Sequence, residues 1–186
     1  RPPRSTQGVS SAASDVYKRQ ETNTFVMVDQ NPIASRPMGK MMLDHMQPGD
    51  GVTPCNGRSK PMTTPDDKIH PYFFEARNRG IQFDVGHGAG SFSWRIAQAA
   101  MNQGFPPDTI STDLHSSSYL RNQATMPETM SKMLICGASL RDVVEMSTWQ
   151  PAKQIGHLEL GTLSVGAIAD VSVFNLSDGK FGFTDN

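Results

Sequence analysis

Four polar side chains stand at the ends of four short, largely apolar segments of the chain. They are Asp29, Cys55, His87 and Asp113. Carboxylate, imidazole and thiol groups accept protons, bind metal ions or attack carbonyl carbons. If the four segments are parallel strands of one sheet, their carboxyl ends share one edge, where active sites of such sheets are built. The pattern therefore indicates an active site. The alternative is that these positions are polar only because connecting loops usually are.

His87 lies in a glycine-rich turn, Gly86–Ser91, between the apolar segment Ile81–Val85 and a predicted helix. We expect an exposed imidazole there, although a histidine satisfied by neighbouring backbone groups is an equally good interpretation. The turn could also hold phosphate at the helix N-terminus. It lacks the Walker lysine and the dinucleotide-binding glycine spacing, so that alternative is weaker.

Asp113 follows the segment Thr109–Thr112 in the same way. Its alternative role is to cap the next segment, as aspartate often does. His115, two residues further on, would either support Asp113 or lie on the surface. The serines at 116–118 have no nucleophile elbow around them, so the sequence shows no Ser-His-Asp triad.

The elements that must position these side chains alternate between strand and helix. Strand, helix, strand recurs four times at intervals of roughly 30 residues, the usual size of a βαβ unit. Such alternation predicts an α/β fold with a parallel sheet covered by helices. The segment Leu160–Phe174 differs, because glycines separate short apolar runs, and it predicts antiparallel β structure. The predicted strands are Thr24–Val28, Asp50–Thr53, Ile81–Val85 and Thr109–Thr112.

Composition excludes some classes of protein. The 186 residues carry a formal charge of -1 and are 37% hydrophobic, which suits one domain or part of a larger one. Near-neutral charge predicts no nucleic-acid partner, and no apolar run approaches the roughly 20 residues that span a bilayer. The two cysteines, Cys55 and Cys136, form neither a metal-ligand pair nor a disulfide framework.

Residues 1–20 differ from the rest of the chain because they are rich in Ser, Arg and Pro and lack apolar periodicity. Val9–Gln20 looks like translated adaptor sequence. We therefore predict a non-native or disordered leader over 1–20 and leave it out of the fold argument.

Several motifs carry a family resemblance and occur in its order. Together they resemble the amidohydrolase superfamily, and within it the dihydroorotase-like amidohydrolase and deacetylase metallohydrolases. The run that ends Gly-Ala-Ile-Ala-Asp and the Ser-Thr-Asp-Leu-His segment are its most specific parts. The motifs are Val26–Asp29, Pro48–Asp50, Phe83–Gly88, Ile110–His115, Ser147–Ala152 and Leu160–Asp170.

The resemblance implies a (β/α)8 barrel, of the TIM type, with a small β-sandwich. Residues 21–155 would supply the last four βα units of the barrel, and residues 156–186 the returning strands of the sandwich. The parent protein would be a hydrolase acting on carbon–nitrogen bonds other than peptide bonds. Its cofactor would be one or two divalent metal ions, usually zinc, that activate water for attack on a small-molecule amide or cyclic amide.

The resemblance also assigns roles to individual residues. Asp113 would be both a metal ligand and the catalytic general base. Asp29 would be a metal ligand, at a position where many members have histidine. His87 and His115 would bind the substrate.

Two departures from the family pattern qualify these roles. The strand that usually ends Thr-His-Cys reads Thr53-Pro54-Cys55 here, and proline has no ligand atom in its side chain. The His-x-His motif of the first strand and the carbamylated lysine of the fourth have no counterpart. We therefore expect a C-terminal fragment, inactive by itself and prone to homo-oligomerise through open sheet edges. The alternative is a non-catalytic, barrel-derived binding protein with a degenerate metal site.

Overall fold

The computed structural model describes residues 24–29, 36–57 and 62–183. The predicted leader, the last three residues and residues 58–61 lie outside this part of the chain. So does Ser35, which the sequence favours as a helix N-cap.

Three short strands form a parallel sheet in the order β1-β2-β3. They are β1 (Met27–Asp29), β2 (Gly51–Thr53) and β3 (Gln82–Phe83). Val28 pairs with Val52, which pairs with Phe83, and all three side chains are buried. The predicted α/β class and parallel sheet are therefore confirmed.

The predicted fourth strand runs parallel to the end of β3 but makes only one bridge, between Asp84 and Thr109. Beyond the bridge, the amide of Val85 donates to the Thr109 carbonyl at 3.1 Å and that of His87 to the Ser111 carbonyl at 3.1 Å. Because of these bonds, residues 109–112 run beside the end of β3 to the carboxyl edge of the sheet. Asp113, the next residue, therefore lies at that edge.

Seven helices cover the described part of the chain. Two short ones, at 116–122 and 149–154, were not predicted, because each is too short to show helical periodicity. Within the described residues no helix is long and apolar enough to cross a membrane. The helices are α1 (Arg36–His45), α2 (Pro71–Asn78), α3 (Trp94–Asn102), α4 (Ser116–Asn122), α5 (Met126–Ile135), α6 (Leu140–Ser147) and α7 (Trp149–Gln154).

The sequence has a capping-box pattern at Thr125–Glu128 and a looser one at Ser139–Asp142, and only the second forms a capping box. Ser139 Oγ accepts from the Asp142 amide at 3.1 Å, and the Asp142 carboxylate accepts from the Ser139 amide at 3.4 Å. Thr125 precedes α5 but makes no side-chain cap bond. Capping therefore defines the start of α6, whereas Pro127 in the first turn favours the start of α5.

The buried apolar side chains form two clusters. The first joins the sheet to α1 and α2 and includes Phe73, Phe83 and Phe105. The second joins Val85 and Ile110 to α3, α5 and α6. Val85 and Phe92, which flank the turn after β3, both belong to the second cluster, so packing there helps to fix the position of this turn.

The tail differs from its prediction. Residues 157–183 contain no strand, although antiparallel strands were expected there. Leu163, Val165 and Val173 are at least 78% exposed. A strand needs a neighbouring strand for its backbone hydrogen bonds, and the described residues provide none beside this segment. The β-sandwich assignment of 156–186 therefore stays a prediction.

Candidate active site

A buried carboxylate joins the strand ends beneath the site. Asp84 is 1% exposed and accepts hydrogen bonds from three hydroxyl groups on two neighbouring segments. The donors are Thr53 Oγ1 at 2.8 Å, Thr109 Oγ1 at 2.7 Å and Ser111 Oγ at 2.5 Å. Sequence reasoning missed this role, although an acidic residue inside the apolar run Ile81–Val85 was its signal. Asp84 thus holds β2, β3 and the 109–111 segment in register.

The turn after β3 depends on two glycines. Gly86 and Gly88 have φ angles of 50° and 51°, in the left-handed region that glycine adopts without steric cost. A Cβ atom on Gly86 would overlap Thr53 Oγ1, and one on Gly88 would lie 2.6 Å from Asp113 Oδ2. The turn therefore packs against the end of β2 on one side and against the Asp113 carboxylate on the other.

Asp113 is exposed at the carboxyl edge of the sheet, as predicted. Its φ of 44° is unusual for a residue other than glycine. Ser118 is fully buried, and its hydroxyl group lies within donating distance of two carbonyl oxygens, that of His115 at 3.0 Å and that of Asp113 at 3.2 Å. Its Oγ also accepts from the His115 amide at 2.8 Å. A strained backbone held by several partners is typical of functional positions, because surrounding contacts must maintain it.

His87 is buried, although an exposed imidazole was expected. Its Nδ1 lies 2.9 Å from the Gly88 carbonyl oxygen, and its Nε2 lies 2.7 Å from Lys132 Nζ. Because the carbonyl can only accept, Nδ1 carries the hydrogen and Nε2 accepts from the lysine. The ring also stacks on Phe92, with centroids 5.2 Å apart. Both ring nitrogens are thus used inside the protein, and substrate contact by His87 stays a prediction.

Lys132 was missed in the sequence because the apolar pattern of α5 assigned only Met130, Met133 and Leu134 to its buried side. The structure buries its side chain fully, 3.7 Å from Glu128 Oε1. The one indication in the sequence was the spacing of four residues between Glu128 and Lys132, which allows an ion pair on one face of the helix. Lys132 is therefore part of the support beneath the turn after β3.

The other predicted site residues differ in their exposure and contacts. His115 is exposed and precedes α4, where its Nδ1 accepts from the Ser118 amide at 3.4 Å. Asp29 is exposed at the end of β1, two strands away from β3. Cys55 is 2% exposed, and burial raises the pKa of its thiol far above neutrality, which makes it a poor nucleophile.

The described residues offer few donor groups to a divalent metal ion. Within the described ranges, no group of three or more His, Cys, Asp or Glu side chains could hold an ion. Pro54 offers no donor, and both nitrogens of His87 are engaged. The described residues therefore do not form a metal site by themselves, although Asp29 and Asp113 each present an exposed carboxylate.

The sequence and the α/β fold are both similar to those of known proteins. The model of the amidohydrolase family matches residues 93–185. A deacetylase of Brucella anthropi is 37% identical over 146 residues, which cover 78% of this chain and 36% of that protein.

Two solved structures are similar as well. An adenine deaminase superposes with a TM-score of 0.71 and 28% identity, over 81% of this chain and 42% of that one. A dihydroorotase superposes with a TM-score of 0.65 and 31% identity, over 82% and 42%. The chain belongs to the amidohydrolase family, and it spans about two fifths of the length of these relatives.

The contact between Gly88 and Asp113 gives a testable prediction. Replacing Gly88 with Ala forces a side chain into the left-handed region, at a cost of about 1–2 kcal/mol, and pushes the Asp113 carboxylate aside. Gly90→Ala is the matched control, because a Cβ at Gly90 meets nothing within 4 Å. We expect chemical denaturation to show the loss for Gly88→Ala alone. Equal stability of the two variants would contradict this geometry.

The stability of the protein should depend on pH through His87. Burial, together with Lys132, lowers the pKa of this imidazole, while its bond to the Gly88 carbonyl opposes the shift. Between the lowered pKa and the ordinary value of about 6.5, the unfolded state binds more protons. The stability contribution is therefore complete above about pH 6.5 and is lost as pH falls toward the folded-state pKa.

The test compares the wild type with His87→Gln, which keeps an acceptor for Lys132. Burial raises the pKa of Glu128, so stability should rise as the pH falls just above the ordinary glutamate pKa, opposite to the effect of His87. Because both proteins contain Glu128, this contribution is common to them. Lowering the pH from 7.5 to 5.5 should therefore reduce the melting temperature of the wild type more than that of the variant, as measured by thermal unfolding. Parallel melting curves across this range would show that His87 is not the group responsible.

Proposed function

We propose that this chain is part of a metal-dependent amidohydrolase that hydrolyses a carbon–nitrogen bond of a small-molecule amide or cyclic amide. The observation that carries the proposal is Asp113, an exposed carboxylate held at the edge of the sheet in a left-handed backbone conformation. The names of the relatives support it, since a deacetylase, an adenine deaminase and a dihydroorotase all cleave carbon–nitrogen bonds.

The proposed chemistry assigns proton transfer to Asp113. Its carboxylate accepts a proton from the attacking water as the water oxygen bonds to the carbonyl or ring carbon. The same proton then passes to the leaving nitrogen as the carbon–nitrogen bond breaks. Gly88 and Ser118 hold Asp113 in place from below, and His115 lies at the rim, where we propose that it contacts the substrate.

The proposed metal would be a divalent ion, zinc by resemblance, bound in one or two copies. When bound, such an ion polarises the scissile group and makes water more acidic. Asp113 and Asp29 are the carboxylates that we propose as ligands. The described residues do not complete a site, so the remaining ligands would come from parts that the longer relatives contain.

The proposed architecture is the C-terminal half of a (β/α)8 barrel over residues 21–155, followed by β-sandwich strands over 156–186. The parallel order β1-β2-β3, continued by the bridge to Thr109, supports the barrel half. The exposed apolar side chains of the tail are consistent with strands that pack against a partner segment.

One observation favours a second candidate function. Pro54 stands where the family resemblance leads us to expect a histidine ligand, and Asp29 stands at another such position. A barrel-derived binding protein with a degenerate metal site would account for both. In that case the complete gene product would neither bind metal in stoichiometric amounts nor turn over substrate, and Pro54→His would restore metal binding.

The deciding experiment measures hydrolysis by the complete gene product and, separately, by the 186-residue chain. The substrates are N-acetyl amino acids, adenine and dihydroorotate, chosen to represent a deacetylase, an adenine deaminase and a dihydroorotase. We expect turnover of at least one compound class by the complete product and none by the chain alone. A folded complete product that neither binds metal in stoichiometric amounts nor turns over any of these compounds would refute the hydrolase proposal in favour of the binding protein.

A further inference from the structure

The side chain of Lys132 points into the protein from α5. It is fully buried, although lysine is among the residues that are least often buried without a partner. The neighbouring Thr129 and Met133 are also fully buried, so this face of α5 lies against the site region. A buried amino group costs free energy unless it forms hydrogen bonds, so its contacts should identify its role.

The contacts of Lys132 are directed at the turn after β3. Its Nζ lies 2.7 Å from His87 Nε2 and 3.7 Å from Glu128 Oε1. It also lies 5.2 Å from the ring centroid of Phe92, on which the imidazole of His87 stacks. The lysine and the phenylalanine thus fix both the orientation of the imidazole and the nitrogen that carries its hydrogen.

The fixed imidazole connects in turn to the segment that bears Asp113. His87 Nδ1 donates to the Gly88 carbonyl at 2.9 Å. The amides of His87 and Gly88 donate to the carbonyls of Ser111 and Thr112 at 3.1 and 3.0 Å. The Cα of Gly88 lies beside the Asp113 carboxylate. A continuous series of contacts therefore runs from Lys132 to the proposed proton acceptor.

We propose that Lys132 is a positioning residue: it holds His87 as the neutral Nδ1–H tautomer, and His87 holds the turn on which the Asp113 carboxylate rests. The part of this proposal that concerns catalysis rests on the proposed function, in which Asp113 transfers the proton. The part that concerns the tautomer depends on the geometry alone.

A merely structural lysine would fill space in the core and affect only stability. The two roles differ in what happens to His87. If Lys132 only packs, removing its amino group lowers stability and leaves the imidazole unchanged. If it positions His87, the same change releases Nε2, so the ring can exchange tautomers or rotate, and Asp113 loses its support. Misplacement of a catalytic group by about 1 Å can reduce the rate by about 100-fold.

The test uses the complete gene product, labelled with 15N-histidine, and NMR correlations that distinguish the two ring nitrogens. In the wild type we expect hydrogen on Nδ1 of His87 and none on Nε2. In Lys132→Met we expect the Nε2–H form to appear and kcat to fall by about 10- to 100-fold with KM little changed. Lys132→Gln, which can still donate a hydrogen bond, should recover part of the Nδ1–H form of His87 and part of the wild-type kcat.

Met133→Leu is the matched control, because it changes the packing of a fully buried neighbour on the same helix without touching a polar contact. It should lower stability slightly and leave the tautomer and kcat as in the wild type. Hydrogen on Nε2 in the wild type would overturn the proposal even if Lys132→Met fails to fold. The proposal would also be overturned if folded Lys132→Met kept the same His87 tautomer as the wild type. Absence of turnover in the wild type would refute the proposed function, while the tautomer still decides the role of Lys132.

Discussion

Replacing Asp113 with Asn in the complete gene product should reduce kcat by about 10²- to 10⁴-fold, the usual contribution of a positioned general acid–base group. The amide keeps the shape of the carboxylate but accepts no proton at neutral pH. Asn also tolerates a positive φ, such as the 44° at this position, better than other residues except glycine. Because the side chain is exposed, we expect no measurable loss of stability.

Steady-state kinetics and thermal unfolding together test this prediction. Asp178→Asn, which removes an exposed carboxylate from the tail, is the control and should keep wild-type kinetics. Metal content measured on the same samples separates the two proposed roles of Asp113. Metal loss would point to its role as a ligand, and retained metal with low kcat to proton transfer. Activity within about fivefold of the wild type would remove Asp113 from both roles.

The largest effect on stability is expected from Asp84→Ala. Hydrogen bonds to a charged group each contribute about 1.5–3 kcal/mol, and this change leaves the hydroxyls of Thr53, Thr109 and Ser111 without their acceptor. Allowing for non-additivity, we expect a loss of about 3–5 kcal/mol in the free energy of unfolding, a large share of the stability of a typical domain.

Two milder variants calibrate that prediction. Thr109→Val removes one donor and keeps the shape of the side chain, so about 1–2 kcal/mol should be lost. Asp84→Asn keeps one acceptor oxygen and should fall between the other two. Urea unfolding measures all three. If Asp84→Ala unfolds at the wild-type midpoint, the carboxylate does not hold the strand ends together.

Periodicity and chain order were enough to predict the parts of the fold that depend on local sequence. The helix after the turn Gly86–Ser91 and the capping box at Ser139 follow from residue spacing, and the parallel sheet follows from the alternation of strands and helices. So does the position of Asp113 at the carboxyl edge, because it comes directly after a strand-like segment. Apart from the pairing of the strands, each of these features is determined by residues within a few positions of one another.

The features that could not be predicted depend on contacts between distant segments. His87 looked exposed on its glycine turn, but Phe92 and Lys132, which is 45 residues further along, bury it. Asp84 looked like part of an apolar strand, and its three donors come from two other segments. The tail shows the reverse, since its sequence favours strands but the described residues offer no neighbour to pair with.

Metal removal from the complete gene product tests the central claim most directly. Turnover, whichever substrate class it uses, should disappear after treatment with a chelator and return when one or two equivalents of zinc are added. Metal content and rate should rise together during the titration. Full turnover by the metal-free protein would contradict the claim that this chain belongs to a metal-dependent hydrolase of carbon–nitrogen bonds.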